Sequence, residues 1–324
     1  MSDPILRFVV FSAFSLLALG LGYLSRKRHW MGEHRAAVIH GHTIAWVWSA
    51  ISLVSLWQMP LERAHFWLLL IQPILVLVPA LAMIPLARAI GCNDRQVGVL
   101  ACAAGLSNTG STLGAYLCYL LLPDGEAAVG IGIALVSIMS VVGIVALYPL
   151  ARHYAGRHAD ARLRDLIIGS LIDHRALPLY ASLAGVGLSA SGLEAPSAFS
   201  DFYVIDILCY LAALGGYSGI GMRLRLGDWT RYLPHHLVLA GMKFVGLPLL
   251  AWGIVATIGL TAAPLSTITA EVILVESFMP AAVMSVMIAN IFHLDARLAS
   301  VAWLVNTLLF FLVPLPILLL WLTG

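Results

Sequence analysis

Charge is scarce in this sequence. Asp, Glu, Lys and Arg make up only 10% of its 324 residues, where a soluble globular domain carries roughly a quarter, and that shortage excludes an ordinary water-soluble fold. Cysteine is rarer still. Cys92, Cys102, Cys118 and Cys209 show no C-x-x-C or ligand-like spacing and read as packing thiols. No H-E-x-x-H, G-x-S-x-G or P-loop pattern occurs, so the chain is not read as an enzyme and no cofactor is implied. The net charge is only +2, with the basic residues scattered in short loops, which gives no face for nucleic acid. What the chain has instead is apolar length. It is 61% hydrophobic with a mean hydropathy of +0.95, the composition of an all-α integral membrane protein.

A helix needs about 20 apolar residues to cross the hydrocarbon core. That ruler predicts ten spans, at 5–24, 37–59, 66–90, 97–122, 127–150, 176–193, 202–222, 233–260, 267–293 and 298–322, separated by turn signals such as "MPLER", "LPDGE" and "HLDAR". The first run is retained as a span, because Arg26, Lys27 and Arg28 follow it rather than precede it and no A-x-A site comes after.

Arginine and lysine then set the orientation. Loops after odd-numbered spans hold Arg26, Lys27, Arg28, Arg35, Arg88, Arg95, Arg152, Arg157, Arg162, Arg164, Arg175, Arg223, Arg225, Arg231 and Arg297; the other side holds only Arg7 and Arg63. The positive-inside rule puts both termini on the non-cytoplasmic side of a plasma or bacterial inner membrane. The loop 151–175 contains "DARLRDLIIGSLIDHR", whose Leu163, Leu166, Ile167 and Ile168 alternate with charges. It reads either as an amphipathic segment on the cytoplasmic surface, with Asp160 as its cap, or as a solvated linker.

An internal repeat is visible. "LVLVPALAMIPLARAIGC" in span 3 resembles "KFVGLPLLAWGIVATIGL" in span 8, with Pro79 and Pro248 offset by 169; Asp124 and Asp295, at the ends of spans 4 and 9, are offset by 171. Carrying the shift through gives two halves of five spans, 1–150 and 176–324, joined by 151–175. Five is odd, so the halves enter the membrane with opposite polarity.

The same shift sets Thr109, in "SNTGST" of span 4, opposite Pro280, in "ESFMP" of span 9. Small, hydrogen-bonding residues in one span and a proline in the other predict two helix interruptions at matching depth. Broken backbone in a membrane must be buried in protein or line a cavity. The expected architecture is two inverted five-helix repeats with crossed, broken helices 4 and 9.

These stretches resemble the auxin efflux carrier family, the PIN-type carriers and their bacterial permease relatives. "LLALGLGYLSRKRHWM" is similar to the family's opening helix, and "DHRALPLYASLAGVGLSASGLEAPSAF" with "LCYLAALGGYSGIGMRLRL" to its sixth and seventh. The most specific stretch is "ESFMPAAVMSVMIANIFHLDARLASVAWLVNTLLFFLVPLPILLL", which resembles its last two helices. Asn108-Thr109-Gly110 fits the start of the family's N-T-G-x-x-G-x-P-L, but Gly114 comes one residue late and Tyr116 or a neighbour stands in place of the proline. The resemblance implies a fold of the bile-acid symporter and sodium-proton antiporter type. It also implies an elevator-type carrier for small organic anions, auxin-like or carboxylate. Helices 1, 2, 6 and 7 would form the scaffold and a homodimer interface; helices 3–5 and 8–10 would form the transport domain.

Candidate substrate-binding residues are Ser107, Asn108, Thr109, Gly110, Ser111, Thr112, Ser277, Met279 and Pro280, because half-helix N-termini offer free amides and a partial positive charge to a carboxylate. The alternative for "SNTGST" is close helix packing. Glu276, Glu271 and Lys243 are the candidate coupling or charge-balance groups, since ionisable residues inside a membrane are expensive. Pro280 is expected to free the carbonyl of Glu276, so that sodium bound there or a proton on Glu276 are the two coupling readings. Lys243 reads as neutralising a glutamate or as a built-in cation, Asp206 as paired structure or a gate, and Asn306 as a bridge between helices. The pairs His40/His42 and His235/His236 lack metal-ligand spacing. A sodium-coupled symporter, a non-transporting membrane sensor and a membrane enzyme with histidine-borne metal are the alternative functions.

Overall fold

Every named element of the computed structural model is helical, as the composition demands, but the helices are interrupted where the sequence changes character. The structure describes residues 4–31, 33–156, 163–172, 176–222 and 229–323. Asp160, Arg157, Arg162, Arg175, Arg223 and Arg225 lie outside the described residues. The elements run α1 Pro4–Lys27, α2 Glu33–His42, α3 Ser49–Gln58, α4 Leu68–Ala89, α5 Asp94–Gly105, α6 Gly114–Leu121, α7 Gly125–Val142, α8 Tyr148–Ala155 and α9 Leu163–Ile172. They continue with α10 Leu177–Ala190, α11 Ala198–Asp201, α12 Val204–Gly221, α13 Leu233–Gly241, α14 Leu247–Gly259, α15 Thr267–Ser277, α16 Val283–Ile291, α17 Ala296–Leu312 and α18 Pro314–Thr323. Wide π-helical turns at Thr43–Trp48, Gly143–Leu147 and Met242–Gly246 join α2 to α3, α7 to α8 and α13 to α14.

Among the described residues, six helical stretches are long and apolar enough to cross a membrane: Leu6–Lys27, Arg63–Ala89, Gly125–Ala155, Val204–Gly221, Leu233–Gly259 and Ala296–Leu322. Thr43–Gln58 and Leu177–Ala190 are shorter apolar helices. Leu17, Leu183, Leu249 and Leu320 keep more than half of their surface exposed on these helices. A multi-pass membrane protein, whose outer faces meet lipid, has this character. The chain segments of spans 4 and 9 are each split in two. α5 and α6 have 12 and 8 residues, α15 and α16 have 11 and 9, all too short to cross alone.

The chain divides into two compact units. The first comprises Met1–Glu62, Thr109–Ser137 and Leu171–Leu224. Its centre is the crossing of α1 and α12, where glycine lets two backbones touch. A Cβ on Gly22 would lie 2.1 Å from the Ser218 carbonyl oxygen, and one on Gly221 would lie 2.0 Å from that of Leu19. α3 and α10 meet in the same way, Gly185 lying against the carbonyl of Leu53. The second unit comprises Arg63–Asn108, Ile138–Ser170 and Arg225–Gly324. There α4, with Pro73, Pro79 and Pro85 inside it, packs on α5, with Gly105 against the carbonyl of Val76. α5 opens with a reciprocal cap between Asn93 and Gln96.

Asp124 and Asp295 do the same local work in their own units. Asp124 Oδ1 accepts from the amide of Ala127 at the start of α7, and Asp295 Oδ1 from that of Leu298 at the start of α17. Each caps the helix that follows a split one.

Candidate functional site

Apolar helices 97–122 and 267–293 would be continuous if packing alone decided. They stop because the residues at 106–113 and 278–282 give the backbone other partners. α5 ends at Gly105, and Leu106 turns to extended geometry (φ −104°, ψ 119°). α15 ends at Ser277, and Pro280 offers no amide to continue it. Ala282 is again extended (φ −75°, ψ 150°).

Within the second unit these two interruptions pair. Ser107 and Ala281 form an isolated antiparallel bridge. The amide of Asn108 donates to the carbonyl of Pro280 at 2.7 Å, and that of Ala282 to the carbonyl of Leu106 at 3.0 Å. Backbone groups that a helix would have satisfied internally are thereby satisfied across the bridge.

Side chains hold the bridge from two neighbouring helices. Lys243, on the π turn between α13 and α14 and fully buried, donates from Nζ to the Leu106 carbonyl at 2.9 Å and to Ser107 Oγ at 2.7 Å. Asn306 of α17, 2% exposed, accepts the amide of Ala281 on Oδ1 at 2.8 Å. That bond fixes which end of the carboxamide is oxygen.

Several expectations change here. Pro280 does not free the carbonyl of Glu276: the amide of Met279 takes it at 3.2 Å, because a tighter turn absorbs the acceptor that the missing proline donor leaves. Lys243 does not neutralise a glutamate. Among the described residues Lys243 enters no ion pair, and its Nζ goes to oxygens of the first interruption instead. Glu276 is buried at 3% exposure with neither carboxylate oxygen hydrogen-bonded, whereas Glu271 is half-buried.

The structure thus brings together Ser107, Asn108, Pro280 and Lys243. Met279 is fully buried beside Pro280 in the chain, and Ser277 turns its hydroxyl back onto the Leu274 carbonyl at 2.6 Å. Thr109, Gly110, Ser111 and Thr112 belong to the first unit. There the carbonyls of Thr109 and Gly110 both accept from Ala115, and the carbonyl of Thr112 accepts from the Tyr217 hydroxyl at 3.1 Å.

Asp206, also in the first unit, is fully paired. It takes the Arg7 guanidinium and the hydroxyls of Tyr116 at 2.8 Å and Tyr119 at 3.1 Å. Tyr116 therefore anchors α6 to α12. Asn306 is the site residue that spacing undervalues: one carboxamide in an apolar span is the signal, but its partner, a backbone amide freed by the other interruption, is invisible in a linear string.

Comparison with protein-family profiles finds no match, and comparison with curated proteins finds none at a significant level.

Proposed function

We propose that the chain is a secondary carrier for a small organic anion, of the auxin efflux carrier type, with ten spans in two inverted repeats and elevator-type alternating access at the crossover of helices 4 and 9. The observation that supports this reading is the pairing of two helix interruptions through the Ser107–Ala281 bridge, inside otherwise apolar helices. Discontinuous helices meeting at mid-membrane are the device by which carriers present backbone groups to solutes. A static bundle has no use for them.

The test is uptake into proteoliposomes of the purified protein, with acetate, benzoate and indole-3-acetate as radiolabelled probes. Saturable flux is expected for at least one. It should fall at least about tenfold in an Asn108→Ala, Pro280→Ala double variant. Binding without flux would favour a membrane sensor instead.

A coupled carrier is favoured by one further observation, the bare carboxylate of Glu276, which asks for a cation or a proton. Glu276→Gln is then expected to abolish accumulation driven by a sodium or proton gradient. Flux indifferent to both gradients in the unaltered protein removes the coupling role.

A further inference from the structure

The last turn of α1, in the first unit, is positively charged and has already completed its backbone bonding. Arg26, Lys27, Arg28 and His29 close the apolar stretch Leu6–Lys27, whose 22 residues are enough to span the hydrocarbon core, so this turn lies at the level of the lipid headgroups. Cations at a helix C-terminus commonly serve its free carbonyls. Here those carbonyls are taken. Leu24 accepts from the amide of Arg28 at 2.8 Å, Arg26 from that of His29 at 3.0 Å, and Ser25 from those of Trp30 at 2.9 Å and Met31 at 3.3 Å. This is a Schellman motif whose left-handed residue, at φ 58°, is His29, in a place that glycine usually fills.

The reversal at His29 turns the chain back on the helix end, and both arginines are braced on rings. The Arg28 guanidinium carbon lies 5.2 Å from the centre of the Trp30 ring, and that of Arg26 lies 5.7 Å from the centre of Tyr23, one turn earlier. A guanidinium laid over a ring keeps its N–H edge for a planar acceptor. None is supplied from within: among the described residues Arg26, Lys27 and Arg28 enter no ion pair and no side-chain hydrogen bond. Below Arg28, Leu17, Leu21 and Leu24 follow at helical spacing on the same face and are all exposed.

We propose that the end of α1 binds the headgroup of an anionic phospholipid, with the forks of Arg26 and Arg28 donating to phosphate oxygens, Lys27 adding charge, and Tyr23 and Trp30 as positioning residues. Phosphate matches the guanidinium fork bidentately. A free phosphate has no use for the apolar stripe beneath Arg28, whereas a lipid lays an acyl chain along it. A net negative headgroup is favoured over a zwitterionic one because its phosphate is not offset by a cation of its own.

The test is native mass spectrometry of the full-length protein released from micelles that hold equal amounts of phosphatidylglycerol and phosphatidylcholine with the same acyl chains. The unaltered protein is expected to bind phosphatidylglycerol about tenfold or more tightly than phosphatidylcholine. Arg26→Gln with Arg28→Gln should bring the two lipids close to parity. Arg26→Lys with Arg28→Lys keeps the net charge and removes only the forks; it should lower the preference at least about threefold. Trp30→Ala removes the ring and no charge, and should lower it about threefold. Arg88→Gln with Arg95→Gln deletes two charges from the second unit and should leave the preference unchanged.

A preference kept in full by the lysine pair, or lost equally when Arg88 and Arg95 are changed, overturns the proposal and leaves only a general attraction between basic loops and acidic lipid. Displacement of phosphatidylglycerol by excess inorganic phosphate overturns it in favour of a site for a free anion. A dimer that binds no lipid and dissociates in the glutamine pair assigns this face to a second copy of the chain instead. No flux enters these readouts, so a failed carrier reading leaves them standing.

Discussion

Asp206 and Glu276 are both carboxylates within apolar helices, and their surroundings give them different duties. Asp206 has each oxygen occupied, by Arg7 and Tyr116 on one side and Tyr119 on the other. Glu276 has neither. A linear reading separates them poorly, because Arg7 lies 199 residues from Asp206 and the tyrosines lie in a different span. An ion pair away from bulk water is costly to break from one side, since the remaining charge loses its partner. Asp206→Asn is therefore expected to destabilise the protein by about 2–4 kcal/mol, read as a lower thermal midpoint in detergent. A midpoint unchanged within error would mean that Arg7 finds water or a headgroup instead. Asn306 shows the reverse case. One polar residue in an apolar helix was legible as a bridge; that its second nitrogen stays unused was not.

At the scale of elements, two kinds of irregularity shape the helices. The interruptions of spans 4 and 9 were legible, because proline and a run of Ser, Asn, Thr and Gly weaken a helix for local reasons. The π turns at Thr43–Trp48, Gly143–Leu147 and Met242–Gly246 have no comparable local signature. One of them carries Lys243, and inserted turns of this kind often occur at functional sites. Glycine offers a matched test of packing against propensity within α1. A Cβ on Gly22 would collide with the Ser218 backbone, whereas one on Gly20 meets nothing within 4 Å. Gly22→Ala should cost about 1–3 kcal/mol, and Gly20→Ala should be neutral or stabilising by up to about 1 kcal/mol. Equal thermal midpoints for the two would show that α1 and α12 do not cross this closely.

At the scale of the whole molecule, orientation can be read from one native thiol. Cys102, Cys118 and Cys209 are buried, while Cys92 is half-exposed in the turn between α4 and α5, which the positive-inside expectation assigns to the cytoplasmic side. A membrane-impermeant maleimide should label Cys92 in inside-out vesicles and leave intact cells unlabelled. Burial pushes the Cys92 thiol above its ordinary value, so less of it is thiolate at neutral pH, and labelling should accelerate as pH rises through and beyond the usual thiol range. Labelling from outside would invert the topology and with it the reading of both termini. The division into two compact units is a product of tertiary contacts: Thr109–Ser137 groups with Met1–Glu62 and Leu171–Leu224, so the chain changes unit between Asn108 and Thr109, inside "SNTGST".

The amino-acid sequence by itself determined the solvent and the punctuation: a chain so poor in charge must place its helices in lipid, and proline, glycine and hydroxyl residues must interrupt them where they stand. These are one-body effects, felt by each residue whatever its neighbours. Tertiary structure decided the pairings, with Ala282 donating to Leu106, Lys243 to Ser107 and the Ala281 amide to Asn306. Buried polar groups take whichever partner the packing brings within about 3 Å, and chain order carries no record of that distance.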